Sequence, residues 1–156
     1  MEVIDNFLPL EEFRKLQSIF TGENFPWYFN DGILELGEPN RYQFIHNFLT
    51  NTSQSSLFDI LQPCCQQFCK MEDKDALKFY AVKSNLRPRT LFNRGGGYHI
   101  DMPNATTAIL YINSCNGWTH VKNNGKVKSV ENRVVLFDSN LMHTGYSCTD
   151  KKRRIV

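Results

Sequence analysis

The chain has little excess charge of either sign: 18 lysines and arginines stand against 16 aspartates and glutamates, a net charge of +2. So balanced a surface gives no electrostatic argument for nucleic acid or an anionic membrane as a partner. No apolar run approaches the roughly 20 residues that a bilayer span requires. The amino terminus has no basic segment leading into an apolar one, so no secretion signal is expected either. Five cysteines, Cys64, Cys65, Cys69, Cys115 and Cys148, include no Cys-x-x-Cys pair. Without a secretion signal this odd number reads as free thiols in a reducing cytoplasm, with Cys64, Cys65 and Cys69 packed on a helix face rather than holding a soft metal. Internal repeats, low-complexity tracts and domain linkers are missing too. What remains is one domain of 156 residues, large enough to bury roughly 70% of its unfolded surface without disulfides or a structural metal.

The first half reads as mainly helical. Val3-Ile4 form a short strand, and Pro9 suits the first turn of a helix in which Phe13, Leu16 and Phe20 recur at helical spacing. Thr21 to Asn40 reads as loop with short strand pieces. A second helix is expected over Ser56 to Lys70, with Pro63 either breaking it or opening its second half. From Ala76 the texture changes to short segments rich in Val, Ile, Leu, Tyr and Phe. Leu77 to Leu86, Thr106 to Asn113, Lys126 to Val130, Arg133 to Phe137 and Arg154 to Val156 read as strands, separated by turn clusters such as Asn123-Asn124-Gly125. Helices first and many short strands after them predict a helical part over about 1–75 and an antiparallel sandwich or barrel over about 76–156. The last strand is either very short or lacks a carboxyl-terminal continuation.

Chemistry concentrates in two places. In Gly95-Gly96-Gly97-Tyr98-His99-Ile100-Asp101, residues two apart on an extended strand point the same way, so His99 and Asp101 share a side. Downstream, the apolar run Val134 to Phe137 passes through a turn and ends on His143. Two histidines and one carboxylate on one face of a metal leave three positions open, the ligand set of non-haem iron(II) oxygenases. Such a site needs room for a chelating co-substrate and dioxygen. Arg154, heading an apolar strand, suits the far carboxylate of 2-oxoglutarate, because a guanidinium matches a carboxylate with two parallel bonds and keeps its charge when partly buried. Arg153 points to the opposite face, and Arg154 is preferred. His46 and His120 fall outside this scheme and read as structural or surface residues.

With these residues in place, the stretch from Leu77 to Val156 resembles the 2-oxoglutarate/Fe(II) oxygenase superfamily, in the compact branch similar to prolyl 4-hydroxylases and small phage-encoded homologues. Thr106 to Asn113 resembles the strand after the His-x-Asp motif, and Asn132 to Phe137 the strand leading to the distal histidine. Asn116-Gly117-Trp118-Thr119 stands where the family often has Gly-Gly-Glu-Thr. The opening Val3 to Leu8 followed by a helix is also common in the group. The resemblance implies a double-stranded β-helix, a jelly roll of the cupin kind, with iron(II) on His99, Asp101 and His143 at its open mouth. It further implies 2-oxoglutarate and dioxygen as co-substrates, ascorbate as a reductant in the assay, and hydroxylation of a substrate C–H bond with release of succinate and CO2. Tyr111 would donate its hydroxyl to the far carboxylate beside Arg154, and Tyr80 or Asn85 would serve similarly. Two departures stand out. Trp118 replaces the acidic position and alters the pocket mouth, and an arginine stands where prolyl 4-hydroxylases often have lysine.

Other readings fit part of the pattern. A cupin-like metal- or ligand-binding module would keep the barrel without turnover. A zinc hydrolase would use the same three ligands but leaves Arg154 and Tyr111 without a purpose. The three consecutive glycines lack the Lys-Ser/Thr and the helix of a phosphate loop. Arg87, Arg89 and Arg94 would either line the entrance, favouring an acidic peptide or nucleic acid, or form a solvated face, which is the expectation here.

Overall fold

The computed structural model describes residues 1–33 and 41–156. The expected loop over Thr21 to Asn40 therefore falls partly outside the described residues. Strand β1 (Glu2–Ile4) leads into helix α1 (Leu10–Thr21). Pro9 takes the position before the first helical turn, and Phe13, Leu16 and Phe20 are buried along one face. Glu11 and Glu12 occupy that turn, where the helix dipole favours negative charge. The second expected helix is a short 3-10 turn, Phe58–Leu61, followed by α2 (Gln62–Met71). Pro63 opens α2 rather than breaking it, since its missing N–H costs nothing there. No helix among the described residues is long and apolar enough to cross a membrane.

The remaining strands are β2 (Tyr28–Asn30), β3 (Gln43–Leu49), β4 (Val82–Pro88), β5 (Thr106–Tyr111), β6 (Trp118–Val121), β7 (Gly125–Lys128), β8 (Arg133–Asp138), β9 (His143–Tyr146) and β10 (Arg153–Ile155). They pair antiparallel in the orders β1-β8-β5, β10-β4-β3-β2 and β7-β6-β9. The Ile112 N–H donates to the Ile155 carbonyl at 3.1 Å and the Asn113 amide to the Arg153 carbonyl at 3.0 Å, tying the end of β5 to β10. The first two sheets thereby join into one layer.

Both faces of that layer are covered. Along β8, Val134 and Leu136 pack into the core shared with α1 and α2, which includes Phe7, Phe13, Leu16, Phe20 and Phe48. Val135 and Phe137 pack the other way, against Val121 of β6 and Val127 of β7. A strand buried on both sides needs a continuous apolar run, which Val134-Val135-Leu136-Phe137 supplies. Each such side chain taken out of water contributes about 1.5–3 kcal/mol.

The division expected near residue 75 is not how the sheets are built. β1 pairs with β8 and β3 pairs with β4, so strands from the helical half complete the sheets of the other half. β3 escapes the alternation rule because Gln43 and His46 are buried polar residues. His46 is a satisfied core histidine, its ring nitrogens 3.0 Å from the Pro26 carbonyl and 2.9 Å from the Ser55 hydroxyl. The strand expected over Leu77 to Leu86 begins only at Val82 and runs on to Pro88.

Candidate active site

His99 and His143 meet as a backbone pair across an isolated bridge. The His99 N–H donates to the His143 carbonyl at 3.1 Å and the reverse bond measures 2.9 Å. Directly paired residues share a face, and their rings stand 4.4 Å apart. Asp101 completes the group: its two carboxylate oxygens lie 3.7 Å from His99 Nε2 and 3.6 Å from His143 Nε2. These separations are too long for good hydrogen bonds. They suit one ion held by bonds of roughly 2.1 Å to each ligand. The three candidate ligand atoms all lie within 4.8 Å of one another.

The surroundings prepare them to ligate. His143 Nδ1 lies 3.2 Å from the Leu141 carbonyl, and His99 Nδ1 lies 3.4 Å from that of Gly97. A proton on each Nδ1 directed at these carbonyls leaves Nε2 with its lone pair facing the centre. Burial holds the His143 pKa below its usual value, outweighing the Asp101 charge, so the ring favours the neutral, metal-binding form. Thr107 donates to Asp101 Oδ2 at 2.8 Å. Ser139 accepts from the Ala105 N–H at 3.1 Å and donates to the Met102 carbonyl, pinning the turn after Asp101 to the connection before His143. Gly97 supports the approach with φ +92°, which side chains rarely allow. The residues fit an iron(II) ion.

On β9, Gly145 faces the same way as His143. Beyond it lies Arg154, 3% exposed, donating from Nε to Ser129 at 2.7 Å and from Nη2 to Thr119 at 2.9 Å. Its guanidinium carbon is 5.3 Å from the Tyr111 ring centre. The fully buried Tyr111 hydroxyl donates to the same Thr119 oxygen at 2.8 Å. No carboxylate among the described residues pairs with Arg154. Arg153 goes elsewhere, donating to the Thr21 carbonyl at 2.9 Å near the surface.

Three expectations change. Tyr80 is not brought to this group: it lies ahead of β4, 44% exposed, with the Lys78 ammonium 4.7 Å from its ring centre. Trp118 faces away from Thr119 on β6. It stacks on Tyr146 at 4.4 Å under the Lys126 ammonium, on the face of β6 opposite Thr119 and Arg154. The three arginines divide: Arg89 and Arg94 are exposed, but Arg87 is buried and donates to the Gly145 carbonyl at 2.5 Å. Burial pulls the Arg87 pKa down to about 10, with repulsion from Arg154 adding to it. Asn85, the other early-strand candidate, shares the Arg87 face of β4. His120 lies outside the ligand group, its Nδ1 2.6 Å from the Tyr98 hydroxyl. Thr119 and Ser129, which hold the guanidinium, went unpredicted; alternation along Trp118-Thr119 was the available signal.

No protein-family profile matches the sequence, and no curated protein matches it. Solved structures do. A prolyl 4-hydroxylase from Pseudomonas putida superposes with a TM-score of 0.66 at 17% identity, covering 99% of this chain and 88% of that one. The chain shares its fold. A viral collagen prolyl hydroxylase from Paramecium bursaria Chlorella virus 1, solved as its 2-oxoglutarate complex, matches at TM-score 0.59 and 15% identity over 99% and 90% of the two chains. A Trichoplax adhaerens prolyl hydroxylase in complex with a hypoxia inducible factor peptide fragment matches at TM-score 0.59 and 18% identity, over 99% and 79%.

Proposed function

We propose that this chain is an iron(II)- and 2-oxoglutarate-dependent dioxygenase that hydroxylates a substrate C–H bond and releases succinate and CO2. One arrangement carries the reading. His99, Asp101 and His143 converge within 4.8 Å, and the same interior holds the buried Arg154 with only hydroxyl partners among the described residues. A zinc hydrolase has no use for that guanidinium, and a dicarboxylate co-substrate does. We read the two layers as a double-stranded β-helix with the ligands at its mouth.

His99, Asp101 and His143 would hold the iron, which when bound supplies the coupling of 2-oxo acid decarboxylation to C–H hydroxylation with dioxygen. The protein's own groups do the positioning. Thr107 orients the Asp101 carboxylate, and the Leu141 and Gly97 carbonyls set the ring tautomers. Thr119 and Ser129 hold the Arg154 fork before any ligand arrives, so little side-chain freedom is lost on binding. Tyr111 lies beside it to offer its hydroxyl to the same carboxylate. The edge of Phe137 packs against the His143 ring at 4.9 Å and keeps water from that side.

For the primary substrate, a peptidyl proline leads, because the similar structures named above are prolyl hydroxylases. The test is succinate release with iron(II), 2-oxoglutarate and ascorbate across proline peptides, free amino acids and alkylated nucleotides. Oxygen- and iron-dependent succinate that rises with one substrate class supports the reading. Metal binding with no succinate under any condition would leave a binding module instead.

A further inference from the structure

β4 turns a polar row toward the candidate site. Val82 and Leu86 pack into the helix-side core, so the alternate residues Lys83, Asn85 and Arg87 face the second layer. The register confirms the direction. Arg87 pairs directly with Arg154 of β10, and its guanidinium reaches across the interior to the Gly145 carbonyl of β9. At the other end of the row Lys83 is exposed. The row therefore runs inward from Lys83 to Arg87, which stands opposite Arg154.

Two features of this row have no explanation within the protein itself. The first is the arginine pair. Arg87 and Arg154 are 8% and 3% exposed and stand opposite each other, where like charges repel. No carboxylate among the described residues pairs with either, and unpaired buried charge is among the costliest arrangements in a fold. The Gly145 carbonyl engages one of the five N–H donors of Arg87. The second is Asn85, whose side-chain oxygen is buried with no hydrogen-bond partner. Amide oxygen and nitrogen exchange by a half-turn, so Asn85 offers either an acceptor or two donors there. Two guanidiniums and an unfilled amide in one buried space describe a receptor for an anion.

We propose that Arg87 is a second guanidinium for the far carboxylate of the co-substrate, acting with Arg154 and flanked by Asn85. This rests on the 2-oxoglutarate reading and adds a residue to it. The anion relieves the repulsion between the two arginines, so affinity for the dicarboxylate draws on energy stored in the free protein. A purely structural alternative exists: Arg87 is a strap between β4 and β9. The two roles differ in what its removal does.

The test uses full-length protein loaded with Mn(II), titrated calorimetrically with 2-oxoglutarate and with 2-oxopentanoate, which has a methyl group in place of the far carboxylate. Arg87→Met is expected to weaken 2-oxoglutarate by about 10- to 100-fold, the worth of a hydrogen bond to a charged group. Binding of 2-oxopentanoate stays unchanged. Arg87→Lys, which keeps the charge, recovers part of the loss. Without ligand, Arg87→Met melts no lower than the wild type, and its stabilisation by 2-oxoglutarate shrinks. Equal loss for both ligands with a lower melting point makes Arg87 a strap and overturns the proposal, as does unchanged 2-oxoglutarate affinity. If Arg154→Met reduces the preference for 2-oxoglutarate and Arg87→Met leaves it unchanged, this inference alone fails. If the wild type shows no preference between the two acids, the co-substrate reading falls and takes the inference with it.

Discussion

Gly145 and Arg154 are fitted to each other: a Cβ on Gly145 would stand 3.1 Å from Nη1 of the arginine. A side chain there would crowd the guanidinium on the same face of β9 as His143, two residues earlier. Gly117 makes a second accommodation, since a Cβ there would meet the Arg154 side chain and the Tyr146 carbonyl, both at 2.8 Å.

The two glycines should therefore respond differently to alanine. At Gly145 the nearest atom is the end of a long side chain, which gives way. Gly145→Ala is expected to fold with a stability change within about 1 kcal/mol, to bind iron normally, and to lose at least fivefold in 2-oxoglutarate affinity. At Gly117 one obstacle is backbone. Gly117→Ala should cost about 1–3 kcal/mol, the usual range for overpacking, in denaturant unfolding.

Adjacent arginines should separate cleanly. Arg154→Met is expected to raise the KM for 2-oxoglutarate by at least 100-fold, because truncation removes a charged, preorganised partner of the far carboxylate. Among the described residues, the Arg153 side chain donates to the Thr21 carbonyl at the protein edge. Arg153→Met should leave KM unchanged and stability within about 0.5 kcal/mol. A larger KM effect at Arg153 would reverse the assignment.

The convergence of His99, Asp101 and His143 was legible because strand alternation and a terminal histidine are local patterns. That Arg154 turns inward and Arg153 outward was legible for the same reason, as one strand position selects the face. The strands β6 and β9 were not, because Trp118-Thr119-His120-Val121 and His143-Thr144-Gly145-Tyr146 mix polar and apolar residues in both layers. Only their pairing defines them. Arg87 was misjudged as a solvated residue. A buried arginine beside a second one breaks every rule of local composition, and only the register of β4 against β10 reveals it. Tyr80 failed because the strand expected from Leu77 begins only at Val82, two residues beyond it.

Acid should loosen the amino-terminal attachment first. Bonds from Arg133 hold the Asp5 carboxyl below its ordinary value of 3.8, and bonds from Arg14 and Gln17 hold Glu131 below 4.5. A carboxyl with a depressed pKa in the folded state stabilises at pH above its unfolded value and loses that contribution as pH falls through the folded one. These pairs join β1 to β8 and α1 to the turn before β8. Both are largely exposed, so the effect is small. Asp5→Asn/Glu131→Gln should melt slightly lower than the wild type at pH 7, and the gap should narrow as pH falls below the ordinary values of 3.8 and 4.5. A gap that stays constant from pH 7 to pH 3 would remove the ion pairs as its cause.

The most direct test of the site is the visible charge-transfer band that a 2-oxo acid develops when it chelates protein-bound iron(II), recorded without oxygen. The wild type and His120→Ala should both develop the band on addition of 2-oxoglutarate. Asp101→Ala and His143→Ala should bind iron weakly and show none. No band in the wild type, or equal bands in all four proteins, would contradict the assignment of iron and 2-oxoglutarate to His99, Asp101 and His143.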